Sequence, residues 1–208
     1  MTKIIRNSFI TIVLSLILSI FSFSAFAKGK LTLYCSVEID VCEMLVQAFE
    51  KETGINVAMT RKSSGETFAQ IKAEGSNPKG DVWFGGTGDP HLTASQEGLT
   101  QEYKSKHFDD LLPAAQQQAI NGNYRTVGIY VGALGYGYNH ELIASKGLPE
   151  PTSWEDLTNP AYKGEIQVAN PNSSGTAYTT LATILQIFGE EKGWDYMKKL
   201  HQNINQYT

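Results

Sequence analysis

The sequence lacks any cluster of basic side chains. Its 17 lysines and arginines are scattered along the chain and are outnumbered by 21 aspartates and glutamates, which gives a formal net charge of −4. Nucleic acids and anionic membrane surfaces are usually bound by concentrated positive charge. The composition therefore argues against both as partners, and an anion bound by this protein must be held by local groups.

Long apolar runs are absent except at the start of the chain. There, two basic residues precede an apolar stretch, residues 10–23, that leads into Ala25-Phe26-Ala27. The basic start, the short apolar stretch and the small residues at the last and third-last positions predict a cleavable signal peptide over residues 1–27. A retained membrane anchor is the alternative. The mature protein would begin at Lys28 and reach an oxidising compartment, which is the periplasm in a bacterium with two membranes.

Cysteine is scarce, since Cys35 and Cys42 are the only two in the chain. Two lone cysteines supply too few ligands for a metal site. An even number in an exported protein favours a disulfide, which here would close a short loop. The alternative is a pair of unlinked, buried thiols.

Catalytic signatures are missing as well. The four histidines show none of the close spacings of metal catalysis, such as H-E-x-x-H, and the chain contains no P-loop and no G-x-S-x-G motif. We therefore expect surface or capping histidines, no metal, no cofactor and no enzymatic activity. A periplasmic phosphohydrolase and a ligand sensor with the same architecture are the remaining alternatives.

The sequence does contain an alternation of short apolar runs with amphipathic stretches, which is typical of an α/β protein. Strands are predicted at residues 31–35, 55–60 and 81–84, each followed by a helix. We expect these helices to be capped by Asp40, by Ser63 with Glu66 in a capping box, and by Asp89 with Pro90 in the first turn, and the first to end at Gly54.

The second half repeats this pattern after a different kind of segment. Residues 126–139 are β-rich and contain several glycines, which predicts a hinge between a first α/β lobe (28–125) and a second lobe (140–208). A short capped helix from Pro151, a strand at 165–169 and a long helix from about 172 are predicted in the second lobe. No closing strand is predicted after it, and about 70 residues are few for an independent unit. We therefore expect a fragment whose continuation completes this lobe.

Small polar residues follow each predicted strand. In open α/β sheets, ligands collect at the carboxyl ends of the strands, where helix N-termini present free N–H groups. Hydroxyls and glycines in such loops suit an anion. The predicted ligand residues are Ser36, Ser63, Ser64, Gly65, Thr87, Gly88, Ser173, Ser174, Gly175 and Thr176.

Several of these residues have a simpler interpretation as helix caps. Ser63 with Glu66 serves equally well as a capping box, and Asp89 is more easily explained as a cap because its charge repels phosphate. Residues 173–176 are the strongest candidates, since four consecutive small donors exceed what a cap requires. Arg61 and Lys62 are interpreted as solvated surface unless they turn inward.

Four blocks of the chain resemble the periplasmic solute-binding proteins of ABC importers in the ferric-iron-binding class. They are LTLYCSVEIDVCEMLVQAFEKETGINV, GDVWFGG, TVGIYVGALGYGYN and PTSWEDLTNPAYKGEIQVANPNSSGTAY. Within that class, SVEIDVCEML, RKSSGETFAQIKAE and GDVWFGGTGDPHL are especially similar to the branch that binds hexose phosphates, whose members are often labelled iron(III) transporters.

The resemblance implies a two-lobed, type II periplasmic-binding-protein fold whose second lobe is incomplete here. It implies a monomer that captures a small anionic ligand and delivers it to an inner-membrane ABC permease. A phosphorylated small molecule is the expected ligand. Ferric iron is the alternative, but iron binders of the class use a histidine in the first loop, where this chain has Ser36-Val37-Glu38, and a Tyr-Tyr pair, which does not occur before Thr208.

Overall fold

Three parallel strands form the first sheet of the computed structural model, which describes residues 29–208. The signal-peptide prediction falls outside these residues. The sheet has the order β2-β1-β3. Its register pairs Leu33 of the central strand with Met59 on one side and Val82 on the other. The strands are β1 (Lys30–Cys35), β2 (Asn56–Arg61) and β3 (Val82–Phe84).

Two helices connect these strands, and their ends follow the local sequence. Helix α1 (Ile39–Thr53) begins one residue before the predicted cap, with Glu38 at the N-cap and Asp40 already in the first turn. It ends as predicted at Gly54, whose φ of 71° is left-handed. Helix α2 (Ser64–Glu74) carries the predicted capping box between Ser63 and Glu66.

Helix α3 (Gly88–Gln96) follows β3 and corrects one prediction. Its N-cap is Thr87, so Asp89 lies within the first turn beside Pro90 and is not the cap. The chain turns into the helix two residues earlier than expected, and the Asp89 carboxylate then sits where the helix dipole favours a negative charge. A 3₁₀ turn (Phe108–Asp110) and α4 (Pro113–Asn121) complete this half of the chain.

The predicted disulfide is present between Cys35 and Cys42. It joins the end of β1 to the first turns of α1, and both cysteines are fully buried. Together with Leu33 they form the centre of a small apolar core between the sheet and α1. The bridge therefore fixes both ends of the loop that contains Ser36.

Residues 126–139 form neither helix nor strand. Several of its apolar side chains are exposed, and Val131 is 78% exposed. Its role as a hinge, and the boundaries of the two lobes, stay predictions.

A second sheet is built from two parallel strands, β4 (Ile166–Val168) and β5 (Ile204–Tyr207). Strand β5 shows that the expected absence of a closing strand was wrong. The helical periodicity ends at Asn203, whose buried side-chain amide donates to the carbonyls of Leu157 and Asn159 and so fixes the start of the strand. The helices of this unit are α5 (His140–Ser145), α6 (Gly175–Phe188) and α7 (Glu190–Asn203), and the expected helix after Pro151 is a 3₁₀ turn (Glu155–Thr158).

The molecule is thus a mixed α/β protein with two separate sheets, as the sequence predicts. We call the part built on β1–β3 the first unit and the part built on β4 and β5 the second unit. Among residues 29–208, no helix is both long and apolar enough to cross a membrane.

Candidate functional site

The carboxyl ends of β1, β2 and β3 lie along one edge of the first sheet because the three strands are parallel. The loops that leave this edge contain Ser36, Ser63 and Thr87. A cavity of about 610 Å³ opens there, between this edge and the start of α6 in the second unit. Eight of the ten predicted ligand residues line it: Ser36, Ser63, Ser64, Thr87, Gly88, Ser174, Gly175 and Thr176.

Three helix N-termini meet at this cavity. The Ser64 hydroxyl at the start of α2 accepts a 3.2 Å hydrogen bond from the amide of Thr87, the N-cap of α3. The start of α6 approaches the same pair so closely that a Cβ on Gly175 would lie 2.2 Å from Thr87 Oγ1 and 2.9 Å from Ser64 Oγ. Only glycine permits this contact, which brings three positive dipole ends to one point.

The Thr87 hydroxyl is a buried polar group at the start of α3. Its Oγ1 is buried and makes no hydrogen bond to any residue that the structure describes. Such a group costs about 1 to 3 kcal/mol if it stays unpaired. Thr87 lines the cavity, but its Oγ1 is covered by the close approach of Gly175, so a ligand oxygen would reach this hydroxyl once the start of α6 shifts.

Three hydrogen-bond partners hold Ser36 in place. Its hydroxyl accepts a 2.9 Å hydrogen bond from the Trp83 indole and lies 3.1 Å from the hydroxyl of Thr67, which is also buried. Its amide donates to the Phe84 carbonyl at 2.8 Å. One donor or acceptor position of Ser36 is left for a ligand, and its direction is fixed.

Gly65 and Ser173 are the two predicted residues that do not line the cavity. They contact each other instead, because the Gly65 amide donates a 3.0 Å hydrogen bond to the Ser173 carbonyl. The Ser63 hydroxyl lies 2.6 Å from the same carbonyl oxygen. These hydrogen bonds join the first unit directly to the second.

The two hydroxyls at the start of α6 have different surroundings. Ser174 Oγ accepts the amide of Ala177 at 3.3 Å and thus acts as the N-cap of α6. Thr176 is exposed, lines the cavity, and its hydroxyl has no hydrogen-bond partner among residues 29–208. Capping explains Ser174, whereas it does not explain Thr176.

Charged side chains lie at the rim of the cavity. Arg61 lines it, but its Nε donates to the Val37 carbonyl at 3.0 Å, and Lys62 is engaged with Gln70 at 2.6 Å. Glu38 and Asp89 also line the cavity, and both residues are exposed. The floor is therefore made of hydroxyls and main-chain groups.

Two residues near the cavity were missed by the sequence analysis. Tyr130 lines it, and its hydroxyl bonds to Gly86. His91 was expected at the surface or in a helix cap, and this expectation was wrong. Its ring stacks on Trp83 with centroids 3.6 Å apart, and its Nε2 lies 2.9 Å from the Gly85 carbonyl oxygen. Burial holds the pKa of His91 below its ordinary value. Neither contact has a local sequence signal, since each depends on tertiary packing.

Within residues 29–208, no group of three or more His, Cys, Asp or Glu side chains is arranged to hold a metal ion.

Comparison with known proteins identifies relatives of this chain. The model of a family described as bacterial extracellular solute-binding protein matches residues 84–208. A curated relative from Haemophilus influenzae is 46% identical over 186 residues, which are 89% of this chain and 54% of the relative. The chain therefore spans about half the length of the curated relatives it matches.

Two solved structures are similar in both sequence and fold. The periplasmic binding protein AfuA from Actinobacillus pleuropneumoniae, with exogenous fructose-6-phosphate bound, is 44% identical with a TM-score of 0.83, covering 88% of this chain and 57% of AfuA. The periplasmic binding protein P5PA is 43% identical with a TM-score of 0.83, covering 86% of this chain and 57% of P5PA. Iron-bound HitA from Pseudomonas aeruginosa is only 23% identical, with a TM-score of 0.62 and coverage of 83% and 54%, and shares the fold alone.

Proposed function

Because the chain belongs to the bacterial extracellular solute-binding protein family, we propose that it captures a phosphorylated small molecule, such as a hexose phosphate, in the cavity between its two units. The observation that carries this proposal is the meeting of three helix N-termini at Ser64, Thr87 and Gly175. Free N–H groups and hydroxyl donors at such a point stabilise an anion without a buried lysine or arginine. The likeness to AfuA, solved with fructose-6-phosphate, supports this ligand class.

The acidic residues at the rim of the cavity are suited to the sugar hydroxyls of such a ligand. A carboxylate repels a phosphate but accepts hydrogen bonds from sugar hydroxyls. Glu38 and Asp89 lie at the rim and are exposed, so neither places a buried charge beside the proposed phosphate position. A ligand with a phosphate at the floor and hydroxyls at the rim fits this distribution of charge.

Ferric iron is the second candidate, and the described cavity fits it less well. Fe(III) is a hard cation that prefers anionic oxygen ligands. The groups at the floor are neutral hydroxyls and amides, and the positive ends of three helices point at them. HitA, which is iron-bound, is only 23% identical to this chain and shares the fold alone.

We further propose that the protein is exported to the periplasm, acts as a monomer and hands its ligand to an ABC permease in the inner membrane. The family and the periplasmic relatives support export and a binding role. Catalysis is not required for that role. Incubation of the full-length protein with glucose 6-phosphate, followed by an assay for released phosphate, distinguishes a binder from a phosphohydrolase.

Isothermal titration calorimetry on the full-length protein tests the proposed ligand class. Fructose 6-phosphate and glucose 6-phosphate should bind with micromolar or tighter affinity, and unphosphorylated fructose should bind much more weakly because the helix N-termini would lose their anion. Inorganic phosphate and ferric citrate complete the series. Tight iron binding without sugar-phosphate binding would refute this proposal and support the iron alternative.

Two threonine substitutions locate the phosphate. Thr87 and Thr100 both carry a buried hydroxyl that has no partner among residues 29–208. Only Thr87 lines the proposed site, since Thr100 lines a separate cavity beside β3. Thr87→Val should weaken fructose 6-phosphate binding by roughly tenfold or more, as expected for a lost hydrogen bond to a charged group. Thr100→Val should leave the affinity unchanged. Equal affinities for both variants and the wild type would place the phosphate elsewhere.

A further inference from the structure

The two units of the molecule touch through main-chain atoms next to the cavity. The Ser173 carbonyl of the second unit accepts the Gly65 amide at 3.0 Å and lies 2.6 Å from the Ser63 hydroxyl. Residues 63 and 173 are 110 positions apart in sequence. We infer that Gly65 and the Ser173 carbonyl form a latch that holds the two units closed over the ligand, and that they take part in closure without touching the ligand.

The Gly65 amide is available for this purpose because of its place in α2. Helix α2 begins at Ser64 with Ser63 as its N-cap, so the Gly65 amide is one of the first N–H groups, which have no carbonyl partner inside the helix. Glu66 and Ser63 satisfy each other through the capping box. The Ser173 carbonyl is the partner that the structure gives to Gly65, and without that contact the amide would face solvent.

The absence of a side chain at position 65 is what permits the contact. A Cβ at this position would lie 2.5 Å from the Ser173 carbonyl oxygen and 2.9 Å from the carbonyl carbon. Neither atom belongs to a flexible side chain, so the clash cannot be relieved by a rotamer change. The φ of Gly65 is not positive, and alanine therefore fits the helix itself. Gly65→Ala removes the close approach and leaves α2 intact.

The Ser63 hydroxyl contributes to the latch only while it donates its proton to the Ser173 carbonyl. It has a single proton and two acceptors within reach, Glu66 Oε2 at 2.8 Å and the Ser173 carbonyl at 2.6 Å. It donates to one of them at a time. The Gly65 amide has no competing acceptor within α2, so it supplies the constant hydrogen bond and Ser63 an intermittent one.

This inference rests on the proposed function, because a latch matters for affinity only if a ligand is enclosed between the units. Its first test does not need a ligand. Hydrogen exchange at the residue 65 amide, followed by NMR in the full-length protein, should be at least about tenfold slower than the intrinsic rate in the wild type. The same amide in Gly65→Ala should exchange at close to the intrinsic rate.

The second test measures affinity. Fructose 6-phosphate should bind about tenfold more weakly to Gly65→Ala, whereas the melting temperature without ligand should change little, because the better helix propensity of alanine offsets the lost hydrogen bond. Gly29→Ala is the control, because its added Cβ makes only ordinary contacts, at 3.5 Å or more, with Ile55. This control should bind like the wild type.

The outcomes separate the latch from the proposed function. An amide at Gly65 that exchanges at the intrinsic rate in the wild type, with and without fructose 6-phosphate, overturns the latch. So does a Gly65→Ala variant that keeps both protection and affinity. A protected amide in a protein that binds no sugar phosphate supports the latch and refutes the proposed ligand.

Discussion

The hydroxyl of Tyr130 holds both main-chain polar atoms of Gly86. It accepts the Gly86 amide at 2.8 Å and donates to the Gly86 carbonyl at 2.9 Å. Gly86 directly precedes Thr87, the N-cap of α3. A side chain from the extended segment 126–139 therefore fixes the loop that positions one of the three helix N-termini at the cavity.

Replacing Tyr130 with phenylalanine should weaken sugar-phosphate binding and change stability little. The variant keeps the ring but loses two hydrogen bonds at an exposed site. The Gly86 amide and carbonyl then bond to water, and the loop before Thr87 becomes more mobile. A loss of about 1 kcal/mol corresponds to roughly a fivefold weaker Kd, measured by calorimetry with fructose 6-phosphate.

Tyr138→Phe is the matched control for this substitution. Tyr138 lies in the same segment and its hydroxyl bonds to Glu150, but it does not line the cavity. Its removal should leave the affinity unchanged. If both variants bind like the wild type, the Tyr130 hydroxyl has no role in positioning the loop.

Removal of the disulfide should destabilise the protein without abolishing binding. Cys35 and Cys42 close a short loop around Ser36, and loop-closure entropy predicts a loss of about 2 to 3 kcal/mol for the double serine variant. Urea unfolding of the variant and of the wild type measures this loss. Wild type unfolded in urea without reductant should show no thiol that reacts with a thiol reagent, and two reactive thiols there would contradict the bridge.

The sequence predicted best those features that depend on neighbouring residues. The capping box of Ser63 and Glu66 and the end of α1 at Gly54 are set by groups within a few positions. The gathering of loop residues at one cavity followed from a general property of parallel strands. Asp89 was misassigned because Thr87 and Asp89 are both good N-cap residues, and the choice between them is made by the packing of α3.

Features that join distant segments were not predicted. Strand β5 forms because β4, some 38 residues earlier, offers an edge for pairing. The contact of Gly65 with Ser173, the burial of the Thr87 hydroxyl and the stacking of His91 on Trp83 likewise depend on tertiary approach. A sequence pattern records propensities along the chain and carries no direct signal for such pairs.

Stability should fall on acidification because of His91. Burial against Trp83 lowers the pKa of His91 in the folded protein below its ordinary 6.5, although the hydrogen bond to the Gly85 carbonyl acts in the opposite direction. Below about pH 6.5 the unfolded chain binds a proton that the folded protein does not, so the free energy of unfolding decreases as the pH falls towards the folded pKa. Above pH 6.5 this contribution is constant.

Urea unfolding between pH 5.5 and 7.5 checks this expectation. His91→Phe keeps an aromatic ring beside Trp83 and does not titrate, so its stability should depend less on pH than that of the wild type. His107 is exposed and lies beside Asp110, and His107→Phe should retain the dependence that His91 causes. Parallel pH profiles for wild type and His91→Phe would show that His91 is not responsible.

Ser174 and Thr176 should differ in what their loss affects. Ser174 Oγ accepts the Ala177 amide and caps α6, whereas the Thr176 hydroxyl is exposed in the cavity without a partner among the described residues. Ser174→Ala should therefore lower stability by about 1 kcal/mol, as expected for a lost cap. Thr176→Ala should leave the melting temperature almost unchanged.

The effects on binding distinguish a cap from a ligand contact at this helix start. A hydrogen bond to a charged phosphate contributes about 1.5 to 3 kcal/mol, so Thr176→Ala should weaken fructose 6-phosphate binding by roughly tenfold or more. Thr176→Ser keeps the hydroxyl and should retain most of the wild-type affinity, whereas Thr176→Val should bind as weakly as Thr176→Ala. A weaker affinity of Ser174→Ala would show that the Ser174 hydroxyl donates its proton to the ligand while it accepts the Ala177 amide. If Thr176→Ala binds like the wild type, the start of α6 is structural, and the phosphate is held by Ser36, Ser64 and Thr87 of the first unit.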